Sequence, residues 1–81
     1  MRHQLFQEVV LAIDIPEKGL KKGDVATVVE HHPVQNGENG YSLEIFNALG
    51  ETIAVVTVRE SAITSLSADE ILSVRPLVAM P

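Results

Sequence analysis

The stretch from Pro16 to Gly23 constrains the fold of this chain more than any other, because it cannot continue a regular strand. Pro16 lacks the N–H that a sheet ladder needs, and Gly19 and Gly23 permit positive φ angles. We therefore predict a long loop over residues 16–23. Leu20 is expected to fold back from this loop over one end of the core, with carboxylates such as Glu17 and Asp24 bracing the loop.

Strand patterns flank this loop and recur at intervals of roughly ten residues, which is typical of an all-β sandwich or barrel. The predicted strands cover residues 9–13, 24–31, 41–46, 52–58 and, after a turn or 3₁₀ step, part of 61–66. Residues 67–70 fit a turn or a helix-capping box, but Pro76 leaves little length for a helix, so residues 71–75 are a candidate extra strand. Residues 78–81 are predicted to be a frayed end. The predicted fold class is all-β: a small SH3-like barrel of about five short antiparallel strands, as one domain over residues 1–81.

The third strand has the clearest alternation in the chain, with Tyr41, Leu43 and Ile45 predicted to face inward and Ser42 and Glu44 to face water. The strand over residues 24–31 is less regular, because apolar residues stand on both of its faces. A strand that bends through a small barrel gives this kind of pattern.

Composition excludes several classes of function. The chain has no cysteine, so disulfides and thiolate metal sites are absent, and its net charge is −5 with only six Lys and Arg residues. This charge disfavours binding to nucleic acid, which needs clustered basic residues. No segment approaches the roughly 20 consecutive apolar residues of a membrane span, and no secretory pattern stands at the N-terminus, so we expect a cytoplasmic protein.

No constellation of residues predicts catalysis. His31 and His32 are adjacent in a strand, so their rings should point to opposite faces and cannot easily bind one metal ion together. No serine lies in a nucleophile elbow, and no glycine-rich loop opens a helix where phosphate could bind. We therefore predict a non-enzymatic protein with no metal, cofactor or small-molecule substrate.

The strand over residues 52–58 carries apolar residues on both faces, more than a small barrel can bury. One face should therefore be exposed, which favours a protein partner or self-association as a homo-oligomer. The candidate partner-binding residues are Phe46, Ile53, Val55, Val56, Val58, Ile71 and Val74.

The segment from Gly19 to Glu30 resembles a KOW-type element, in which a Gly-Asp pair opens a Val-rich strand. This resemblance implies an alternative function, an RNA- or ribosome-associated binding domain. Lys18, Lys21 and Lys22 would then form the binding edge of the loop.

The run from Pro16 to Asp24 reads Pro-Glu-x-Gly-Leu-x-x-Gly-Asp, and a Tyr-x-Leu-Glu-x-Phe strand follows at Tyr41. With these motifs the chain resembles, from about Phe6 to Leu77, a family of small bacterial proteins of unknown function that is common in cyanobacteria. The resemblance implies an SH3-like barrel, no established activity and a dedicated protein partner. Ala26 departs from the pattern, because the family usually has Gly at this position.

Overall fold

Five antiparallel strands form one sheet in the computed structural model, which describes residues 3–77. The strands are β1 (Glu8–Leu11), β2 (Val25–His32), β3 (Gly40–Phe46), β4 (Thr52–Arg59) and β5 (Ile63–Ser65). Their order in the sheet is β4-β3-β2-β1-β5, so β1 pairs with both β2 and β5. This architecture confirms the predicted all-β fold and fits a small SH3-like barrel. The predicted 3₁₀ step is also confirmed, at Glu60–Ala62 between β4 and β5.

The loop between β1 and β2 is held by its own backbone. Pro16–Lys18 form a 3₁₀ turn, Gly19 ends it with φ 70°, and Ile15 and Leu20 exchange two backbone hydrogen bonds of 2.9 and 3.1 Å. These bonds turn the Leu20 side chain into the core, where it is buried. The prediction that Leu20 covers the core is therefore confirmed.

The core is aliphatic apart from Tyr41, and its fully buried side chains come from the first three strands: Val9, Leu11, Val28, Tyr41 and Leu43. A register shift between Val28 and Glu30 marks a β-bulge in β2. Because a bulge adds one residue to one strand, it moves the following side chains to the other face. His31 therefore lies opposite Tyr41, with ring centroids 5.1 Å apart.

Two predictions about strand residues are wrong. Ser42 lies on the predicted outer face but is buried there, and its hydroxyl is hydrogen-bonded to His32 Nε2 at 2.7 Å and to Thr57 Oγ1 at 3.0 Å. Residues 71–75 do not form a strand within the described chain, although the turn before them is present. Pro76 has no N–H to donate, and Arg75 attaches this segment to the domain through its side chain. The predicted frayed end, residues 78–81, lies outside the described residues.

Candidate functional site

Strand β4 presents one apolar row to solvent and buries the other. Ile53, Val55 and Thr57 are exposed, whereas Val56 is buried and Val58 packs against the core. The two-residue period of a strand places these two sets of side chains on opposite faces of β4. The side chains of Val56 and Val58 face the core, although both residues also line the cleft beside β4, and their partner-binding role stays a prediction. Ile53 and Val55 keep the exposed positions that a partner-binding role requires.

The backbone of β4 is open along one side. Within residues 3–77, β4 has β3 as its single neighbouring strand. The Glu60 N–H donates to the Asn39 carbonyl oxygen at 2.9 Å. This bond shows which residue pairs of β3 and β4 are hydrogen-bonded to each other and which are not. Because antiparallel pairs alternate between hydrogen-bonded and non-bonded, Ala54, Val56 and Val58 exchange bonds with β3. Val55, Thr57 and Arg59 therefore direct their N–H and C=O groups away from the sheet.

A cleft of about 530 Å³ lies between this open edge and the β1–β2 loop. Val55, Thr57 and Arg59 form one wall, and Ile13 and Lys18 belong to the other. Ile13 is itself exposed, so both walls offer apolar surface beside the free backbone groups of β4. The arrangement can accept an extended polypeptide that adds a strand to the sheet.

A second apolar groove runs between the sheet and the C-terminal segment, residues 66–77. It brings together four of the predicted partner-binding residues: Phe46 and Ile53 from the sheet, and Ile71 and Val74 from the segment. Ile71 and Val74 are 92% and 90% exposed, so the segment lies over the domain without burying them. The predicted surface is therefore divided, because Val55 lies on the β4 edge and the other four line this groove.

Arg75 fastens the C-terminal segment to the β1–β2 loop. Its Nε and Nη2 donate to the two carboxylate oxygens of Asp24 at 2.9 and 2.6 Å, and Nη2 also donates to the Gly19 carbonyl at 3.0 Å. The Arg75 guanidinium is the main reason that the pKa of Asp24 lies below its usual range. Sequence reasoning placed Arg75 in a strand and missed this contact. One feature of the sequence could have indicated this ion pair: Arg75 is the only basic residue after Arg59.

The lysines of the β1–β2 loop, Lys18, Lys21 and Lys22, are exposed, as an RNA-binding edge would require. Carboxylates stand directly beside them, because Asp24 accepts the Lys21 N–H and Asp14 accepts the Lys22 N–H, each at 2.8 Å. The predicted bracing role of Asp24 is thus confirmed. The second brace comes from Asp14, where the sequence interpretation had named Glu17.

His31 and His32 point in opposite directions, as predicted from their adjacency. His31 packs on Tyr41, while His32 lies on the outer face, where Glu30 Oε1 is 3.6 Å from its Nε2 atom. The same Nε2 atom bonds Ser42, so the carboxylate does not contact the opposite ring nitrogen as it does in a catalytic triad. Among residues 3–77, no three His, Cys, Asp or Glu side chains are grouped to hold a metal ion.

The fold and this surface define a small all-β domain with an open strand edge and two apolar recesses. The sequence profile of a family described as a domain of unknown function (DUF4926) matches residues 5–65, and the chain belongs to this family. The match ends with β5, so the C-terminal segment and Arg75 lie beyond it. Comparison with curated proteins and with solved structures gave no match. No helix in the described part of the chain is long and apolar enough to cross a membrane.

Proposed function

We propose that this protein is a non-enzymatic protein-binding module that acts through the open edge of β4. The observation that carries the proposal is that Val55 combines an exposed apolar side chain with outward backbone groups, and the exposed Thr57 two residues later has outward backbone groups as well. Strand addition uses both features, because the backbone supplies hydrogen bonds and the alternate side chains supply selectivity. The cytoplasmic location stays a prediction from the sequence.

The chemistry of β4 supports a protein ligand over other ligands. The row Ile53, Val55 and Thr57 carries no charge, and Arg59 stands at its end. A nucleic acid would need several cations along such a surface. A small molecule would need a recess that encloses it, whereas the cleft beside β4 is open along the strand.

The proposal is tested by affinity capture of the full-length tagged protein from its native host, after mild cross-linking. Val55→Lys places a charge on the open edge, and Val34→Lys is the matched control. The two valines are 55% and 49% exposed, and Val34 lies in the β2–β3 loop. A protein retained by the wild type and by Val34→Lys, but lost with Val55→Lys, supports the proposal. An identical set of captured proteins on all three baits contradicts it. Captured RNA that depends on the loop lysines would favour the KOW-like alternative.

A further inference from the structure

We infer that the segment that adds to the β4 edge is β4 of a second copy of this chain, paired antiparallel about a two-fold axis near Val55. The inference rests on the proposed function and names its partner. It would join two five-stranded sheets into one sheet across the dimer.

The backbone of β4 is suited to pairing with itself. Val55, Thr57 and Arg59 direct their N–H and C=O groups outward, and among residues 3–77 no hydrogen bond to these groups is formed. An antiparallel ladder needs such groups on alternate residues of both strands. A second β4, turned by a two-fold rotation, presents the same alternate residues in the opposite direction, so each outward donor meets an acceptor.

The side chains are also self-complementary. With the axis near Val55, the two Val55 side chains lie side by side, and Ile53 of each copy lies close to Thr57 of the other. Pairs of β-branched residues across neighbouring strands stabilise a sheet. The two ends of the strand carry opposite charges, because the exposed Glu51 precedes β4 and the exposed Arg59 ends it. Antiparallel pairing brings Glu51 of each copy towards Arg59 of the other, whereas parallel pairing would bring like charges together.

Strand β4 has few of the features that normally prevent an edge strand from pairing with another chain, and they lie at one end of the strand. Natural edges are guarded by lysine, proline, bulges or short length. Strand β4 has eight residues with neither lysine nor proline, and its register shift lies at the Thr52 end, opposite Ile45 and Phe46. The stretch from Ala54 to Arg59 is regular, and the β1–β2 loop faces it across the cleft without a hydrogen bond to its outward backbone groups. An edge of this kind is expected to be covered in solution.

The test is the mass of the full chain by light scattering during size-exclusion chromatography, across a dilution series from about 100 μM downward. We expect twice the chain mass of 8.8 kDa for the wild type and for Val34→Lys. Val55→Lys should bind itself at least about tenfold more weakly, because two like charges then meet at the axis. Circular dichroism of each variant checks that the fold is kept. Amide exchange by NMR should also show that the Val55 and Thr57 N–H groups are protected at high concentration and exposed on dilution.

Two results would overturn the inference. A wild type that is monomeric at every concentration would show that β4 does not pair with itself. A dimer that Val55→Lys leaves intact would show that another surface joins the copies. If the wild type is monomeric and another protein is still captured in a Val55-dependent way, the proposed function holds and only the identity of the partner is wrong. If capture and self-association are both insensitive to Val55→Lys, both proposals fail.

Discussion

Replacing Leu20 by alanine should show how much the β1–β2 loop contributes to stability. Leu20 is 2% exposed and is part of the core, although it belongs to a loop. The substitution removes roughly three carbon groups at about 0.8 kcal/mol each, before any cost of the cavity. Because Leu→Ala changes at buried sites cost about 2–5 kcal/mol, we expect a loss of about 3 kcal/mol in the free energy of unfolding. In a domain of this size, that loss lowers the melting temperature by roughly 12–24 °C.

The assay is urea unfolding followed by circular dichroism, with Leu49→Ala as the matched control. Leu49 lies in the β3–β4 turn and is 86% exposed, so the same substitution there should change the free energy of unfolding by less than about 0.5 kcal/mol. A loss below about 1 kcal/mol for Leu20→Ala, or a loss equal to that of the control, would refute the conclusion that the loop supplies part of the core.

Three further predictions concern two of the side-chain contacts described above and the glycine of the β3–β4 turn. The pKa of Asp24 is lowered chiefly by its hydrogen bonds from Arg75, so this contact stabilises the protein fully above the unfolded value near 3.8. That contribution should be lost as the pH falls through the lower folded value, and Arg75→Gln should reduce this acid dependence in unfolding curves. Gly50→Ala should cost about 1 kcal/mol in urea unfolding, since Gly50 has φ 84° and no atom lies near enough to clash with an added Cβ. Ser42→Ala should cost about 1–2 kcal/mol by the same assay, because His32 and Thr57 each lose a hydrogen-bond partner.

Much of this fold could be predicted from local sequence signals. Pro16, Gly19 and Gly23 fixed the position of the long loop, because each restricts or frees the backbone in a way that does not depend on distant residues. Gly50 in the β3–β4 turn has a positive φ angle, a conformation that glycine adopts without strain. The alternation Tyr41, Leu43, Ile45 gave the inward face of β3 correctly, since a half-buried strand records its orientation in a two-residue period.

What the sequence could not predict depends on contacts between distant residues. The bulge in β2 moves the His31 side chain to the other face of the strand. The sequence around Val29 has no feature from which this bulge could be predicted. Arg75 and Asp24 are 51 residues apart, and either could have faced solvent. On β4 the sequence showed two apolar faces and left open which one is buried; only the pairing with β3 decides that Val56 lies inside and Val55 outside. The sequence therefore named residues on both faces of β4, and the structure shows that Ile53 and Val55 are the exposed ones.

The opposite edge of the sheet limits what the proposed pairing through β4 could build. Strand β5 has only three residues, so it offers too few backbone groups to extend a sheet as β4 would. A fibre made by edge pairing needs two long edges on every subunit, and among residues 3–77 the sheet has one. Pairing through β4 would use that edge and end in a closed dimer. The short last strand is thus a barrier to polymerisation through the sheet.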